Sequence, residues 1–250
     1  MSLPGIYDTF AQKWDMQTVW LYSDPHFGDE DLECGIQNRP SNDEQIANIN
    51  SCAGRKDTLI ILGDVGDIDC VRKLRAAYKV LIMGNHDVGA TKYKREVIHK
   101  IYDQEFYSRE EAVADMRAQY PGWKIWATES YEFHAPFTRW NVYADNCLFD
   151  EVYEGALIVG EKLIMSHEPI FVPFAFNIHG HDHAGHAAKD AMHLNVCSDV
   201  IGYKPINFNQ FLKSGATAKV QTIHRETIDT ATKRKQKRGG KKIGEDRRYR

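Results

Sequence analysis

The stretch "DTLIILGD", residues 57–64, decides how this chain of 250 residues folds. Leu59 to Leu62 is an unbroken apolar run, and Gly63-Asp64 ends it. Such a run, closed by a turn residue, reads as a strand buried on both faces, inside a sheet covered by helices. Its neighbours repeat the pattern: "TVWLYSD" (18–24) and "KVLIMGNHD" (79–87) are apolar runs ending in polar turns. The segments between are amphipathic. Ser41 stands as an N-cap with Glu44 three residues on, Ile46 and Ile49 share a face, and Gly54 closes a helix over 41–54. A second helix is expected around 70–78. Alternating strands and helices imply a layered α/β sheet whose C-terminal strand ends share one rim.

Farther along, "GALIVGEKLIMSHEP" (155–169) holds two apolar runs parted by "GEK", a hairpin pattern. "AFNIHGHDH" (175–183) and "MHLNVCSDV" (192–200) add two strand candidates. Residues 102–153 are rich in aromatics and read as an insertion over the rim, either a lid or extra core, with a helix near 109–120. Its Trp123, Trp126, Phe133, Phe137, Trp140 and Tyr143 suit a core, or the stacking of a nucleobase. The expected organisation is one domain over 1–216 and a basic tail over 217–250.

Bulk properties exclude several classes. Hydrophobic content of 42% and charged content of 27% are those of a globular protein with a real core. No apolar run is long enough to span a bilayer, and the first twenty residues lack the pattern of a secretory signal. Five scattered cysteines (Cys34, Cys52, Cys70, Cys147 and Cys197) form no CxxC pair, which argues against a disulfide framework and for a reducing, cytoplasmic setting. Residues 233–250 carry ten Lys/Arg against two acidic residues, so the tail bears +8 and the rest of the chain −11 of an overall −3. Such a tail suits nucleic acid or another polyanion, or acts only as a solubilising arm.

The chemistry lies at the strand ends. The first offers Asp24-Pro25-His26, the second Gly63-Asp64, and the third Gly84-Asn85-His86-Asp87. The later strands offer Ser166-His167-Glu168 and Gly180-His181-Asp182-His183. In an extended chain, residues two apart point the same way, so Asp24 with His26, and His181 with His183, can each converge on one ion. Mixed carboxylate and imidazole donors without thiolates suit Mn²⁺, Fe, Zn²⁺ or Ni²⁺ rather than a structural cysteine-type zinc.

This ordered set resembles the calcineurin-like metallophosphoesterase superfamily, whose blocks read Dx(H), GD, GNH(D/E), H and GHxH. The fit is similar to small prokaryotic and phage-type members through "SDPHFGD", "NRP", "LGDVGD", "GNHD" and the closing "NVCSDVIGYKPI". The resemblance implies a four-layer α/β/β/α sandwich of two mixed sheets flanked by helices. It implies two divalent cations, Mn²⁺ first, with Fe, Zn or Ni as alternatives. One would be held by Asp24, His26, Asp64 and His183, the other by Asp64, Asn85, His167 and His181, with Asp64 between them. A bridging hydroxide would attack phosphorus, and His86 would protonate the leaving oxygen.

Asp87 and His179 are expected to support these ligands from behind, and Arg39 of "NRP" to contact a substrate phosphate. Ser/Thr phosphatases of the superfamily carry GDxVDRG with a phosphate-binding arginine, whereas this chain reads Val65-Gly66-Asp67. That departure favours a small-molecule or nucleotide phosphodiester over a phosphoprotein. A nuclease recruited by the tail and a non-catalytic protein-binding scaffold are the alternatives. A homodimer is compatible with the superfamily's habits, and no membrane partner is expected.

Overall fold

The first half of the chain forms α1 (Asp8–Trp14), β1 (Val19–Tyr22), α2 (Glu30–Gly35), α3 (Asn42–Cys52), β2 (Thr58–Ile61), α4 (Ile68–Arg72), β3 (Tyr78–Ile82) and α5 (Ala90–Tyr93). The computed structural model describes residues 3–14, 18–36, 38–130, 138–187 and 190–220. β1, β2 and β3 pair in parallel, with Leu21 opposite Ile60 and Ile60 opposite Val80. All four residues of β2 are buried, as its unbroken apolar run requires. The capping box of α3 forms: Ser41 Oγ accepts the Glu44 N–H, and Glu44 accepts the Ser41 N–H at 3.0 Å. α4 is earlier and shorter than expected. Asp67 caps it by accepting the Asp69 N–H, and the Asp57 carbonyl draws Ala77 and Tyr78 into the strand that follows.

Next come β4 (Val97–Asp103), α6 (Arg109–Gln119), β5 (Lys124–Ser130) and β6 (Arg139–Asp145), then β7 (Glu151–Tyr153). The three longer strands make a separate antiparallel sheet in the order β4-β6-β5, with α6 packed on one face. Tyr102, Ala112, Met116, Val142 and Ala144 form its small core. These elements make a folded module over 97–145, within which most of the expected insertion over 102–153 falls. β7 lies outside it and pairs in parallel with β3, Leu81 opposite Val152. The other face of the module's sheet carries His99, Tyr143 and Trp126 as a row of stacked rings, with centroids 4.6 and 5.1 Å apart. Phe133 and Phe137 lie outside the described residues.

The chain ends with β8 (Leu157–Gly160), β9 (Leu163–Met165), β10 (Phe176–His179), β11 (His193–Asn195), β12 (Ile206–Asn207) and α7 (Phe208–Lys213). β8 and β9 are the expected hairpin, bulged between Ile158 and Gly160. β9, β10 and β11 run parallel, and β12 returns antiparallel to β1. The two mixed sheets pack face to face. Val19, Leu21, Ile60, Val80 and Ile82 of one meet Val159, Met165, Phe176 and Ile178 of the other. The outward residues Leu59, Ile61 and Leu81 meet Ile46 and Ile49 of α3 and Val71 of α4, so helices flank the sandwich. Val220 is buried in the inter-sheet cluster, so the folded part passes the expected boundary at 216. The basic segment lies outside the described residues.

Candidate metal centre

β1, β2, β3, β9 and β10 end at one rim, and the loop after each carries candidate donors. The backbone there is unusual. Asp24, His26, Asp64 and His181 all have left-handed φ, at 55°, 43°, 52° and 66°. Such residues cost on the order of 1–3 kcal/mol each and persist only where surrounding contacts hold them. The contacts are present: Asp24 N–H donates to the Gly63 carbonyl, His26 N–H to the Asp64 carbonyl, and His181 N–H to Asp24 Oδ2 at 2.9 Å. Ser198 Oγ–H donates to the Asp24 carbonyl at 2.8 Å. These side chains therefore meet through turns, not through strand pleating as the two-residue spacing suggested. Glycine is required where loops touch. A Cβ at Gly84 would collide with the Asp64 carboxylate, and one at Gly180 with Ser23 and Asp24.

Two donor groups result, with the donor atoms of each within 4.8 Å of one another: Asp24, His26 and His183, and Asp64, His167 and His181. Asp64 Oδ2 lies between them, 3.5 Å from His26 Nε2 and 3.2 Å from His167 Nε2. Asn85 Oδ1 joins the second group, 2.9 Å from His167 Nε2 and 3.1 Å from His181 Nδ1. His167 Nδ1 faces the Leu62 carbonyl at 2.8 Å, which can only accept, so a neutral ring turns the lone pair of Nε2 towards the cluster. His183 Nδ1 faces the Asp199 carboxylate at 2.6 Å and leaves Nε2 towards Asp24. A divalent cation fits this donor chemistry. Among the described residues, Asp24 Oδ1 and His26 Nε2 are buried with no hydrogen-bond partner, a costly state that a cation would relieve.

With no cation present, burial and the neighbouring carboxylates shift the rings in different directions. Burial alone would depress His167, but its hydrogen bond to Asp64 and the Asp24 charge raise its pKa to about 9. Burial dominates at His26 and lowers it. The Asp199 hydrogen bond raises His183 against burial. Burial pushes Asp199 up, but His183, Tyr203 and Arg39 together bring it down to about 2. His183, Cys197 and Asp199 also lie close together, yet burial pushes the Cys197 thiol far above its usual range, which makes it a poor donor.

The remaining candidates take varied places. His86 is exposed in a cleft of about 570 Å³ beside the donor groups, its ring 5.3 Å from that of His26. Its N–H donates to Asp64 Oδ1 at 2.9 Å. Asp87 accepts from the N–H groups of Asp64, Val65 and Gly84, and so ties the second loop to the third. His179 is buried behind the loop, with Nδ1 2.8 Å from the Gly180 carbonyl. Arg39 departs from its expected substrate contact. Its side chain is enclosed, donating to Asp199 at 2.5 Å and to the carbonyls of Asp24 and Pro25, so it braces the first loop. Sequence reasoning missed Asp199, which links Arg39 to His183. Its signal lay in "NVCSDV", where an acid follows β11.

A family model described as calcineurin-like phosphoesterase matches residues 17–196. No curated protein matches. Among solved structures, a protein of unknown function from Aquifex aeolicus, AQ665, is 18% identical with a TM-score of 0.46, over 79% of this chain and 98% of that one.

Proposed function

The chain belongs to the calcineurin-like phosphoesterase family and is thus a metal-dependent phosphoester hydrolase; from that premise we propose that it is a dinuclear phosphodiesterase. The observation that carries the dinuclear reading is Asp64, whose Oδ2 stands between His26 and His167 and so between the two donor groups. Asp24, His26, Asp64 and His183 would hold one cation, and Asp64, Asn85, His167 and His181 the other. When bound, such a pair supplies Lewis-acid neutralisation of the phosphoryl oxygens and an acidified water. Asp199 and the Leu62 carbonyl fix the ring orientations of His183 and His167. His86, open to the cleft, is placed to give a proton to the leaving oxygen.

The cleft favours a diester. Asp29, Glu30 and Asp31 line it, with Lys92 as the one lysine or arginine in the lining. A phosphomonoester approaches its second negative charge at neutral pH, whereas a diester keeps one, so this wall repels the monoester more. Aligned on Gly63-Asp64, the protein-phosphatase block GDxVDRG would place its arginine at position 68, where this chain has Ile68. The deciding experiment is hydrolysis of an aryl phosphodiester against an aryl monoester with Mn²⁺, beside metal analysis. We expect diester preference and two ions per chain, and Asp64→Asn should lose both metal and activity. His86→Ala should keep the metals but lower kcat by about 100-fold, within the usual range for a general acid. A monoester preference, or one ion per chain, would overturn the reading.

A further inference from the structure

At the opposite end of β3 from the donor groups lies a second cavity, of about 510 Å³, between the main sheet and the three-stranded module. Lys79 is the second residue of β3, while Asn85 and His86 follow its far end, so the strand's length, roughly 15 Å, separates the two sites. The cavity's charge is one-sided: seven cationic side chains face two carboxylates, Asp145 and Asp150. Arg95 donates to both carboxylates, at 2.6 and 2.7 Å, and Lys79 stands beside them bonded to the Cys147 carbonyl. The acids are therefore spoken for, and the other five cations are surplus.

Those five are poised for an anion. Arg55 and Arg75 are exposed, and among the described residues neither side chain has a hydrogen-bond or ion-pair partner. Lys73 and Arg72 have only the exposed Asp43 and Asp69, pairs worth little in water. Among the described residues Arg72 Nε is buried without a partner, and the turn glycine Gly122 lies close against its guanidinium. Lys124 stands on the module wall, 5.6 Å from the centre of the Trp126 ring, so an aromatic surface adjoins the cationic one. A concave site with several guanidinium forks on one side matches a compact anion with many oxygens.

We propose that this cavity binds a polyphosphate group, free or carried by a nucleotide, at a site separate from the phosphoester cleft. The phosphates would lie among Arg55, Arg72, Arg75 and Lys124, and a nucleotide's base would reach the Trp126 side. Calorimetric titration of the full-length protein in excess divalent metal tests this, with inorganic triphosphate and a non-hydrolysable nucleoside triphosphate, comparing metal-loaded wild type with Asp64→Asn, whose donor groups stay empty. Wild type and Asp64→Asn should both bind one equivalent. Arg55→Glu/Arg75→Glu should bind at least about tenfold more weakly, as expected for loss of two charge-assisted contacts, with aryl diester hydrolysis and melting temperature unchanged. Lys124→Glu, on the opposite wall, should weaken binding likewise. Equal affinity for the two ligands assigns the site to phosphates alone. Tighter nucleotide binding that Trp126→Ala removes adds the base. The proposal falls if neither ligand binds, if the double variant binds like wild type, or if Asp64→Asn abolishes binding.

Discussion

At the scale of single residues, the centre is built from strained positions and the groups that hold them. Asp87 shows the logic. Its carboxylate takes three backbone N–H groups from two loops, so the Asp64 and Asn85 segments move as one unit. Asp87→Ala leaves those donors buried and unpaired, at a cost of about 1–3 kcal/mol each before relaxation. We expect an overall loss of about 3 kcal/mol in urea unfolding, with weaker metal retention. Unchanged stability would show that water replaces the carboxylate. Arg39 and Asp199 act similarly on the first and last loops, gripping the Asp24 carbonyl and His183. The candidate donors were legible in the sequence because aspartate, asparagine and histidine after apolar strands announce themselves. The bracing was not, because Arg39 and Asp199 are 160 residues apart in the chain and meet only in space.

At the scale of elements, local signals worked where they were self-contained. The Ser41–Glu44 box predicted α3 and forms as a reciprocal pair. Ser41→Ala should cost about 1 kcal/mol of stability in urea unfolding, since the capping bond is lost and, among the described residues, the hydrogen bonds of Ser41 Oγ are those with Glu44. The same Ser-x-x-Glu pattern caps α6 through Ser108 and Glu111. The module's strands were not legible because they are only half buried. β4 and β5 show no long apolar run, so their alternation is weak, and their pairing with β6 is a tertiary fact. Asp145 anchors the module. Burial pushes its carboxyl up, but Arg95 and the Cys147 N–H outweigh this and hold it below the usual carboxylate range. Its stabilisation is then complete above about pH 4, the unfolded value, and fades as pH falls through the lower folded value. Denaturation of wild type and Asp145→Asn should show a wide gap at pH 7 that closes below about pH 4. A gap independent of pH would mean that packing, not charge, sets it.

At the scale of the whole molecule, two sheets bring their C-terminal strand ends to one rim, and the cations would tie the two halves together. Loops after β1, β2 and β3 come from one sheet, and those after β9 and β10 from the other. Metal bound only by the folded state stabilises it by mass action, by about 2.7 kcal/mol at a hundredfold excess over Kd. Mn²⁺ should therefore raise the melting temperature of wild type, chelator should reverse the rise, and Asp64→Asn should show neither. By itself, the sequence determined the strands that carry the donor loops, the order of the donor blocks and the family they match, because apolar runs and side-chain chemistry are local properties of the chain. Only the tertiary structure decided that the donors converge through left-handed turns, that Arg39 is a brace, and that residues 97–145 form a module with a cationic cavity at its base. Those outcomes depend on which distant segments touch, and contacts across scores of residues leave no mark in local composition.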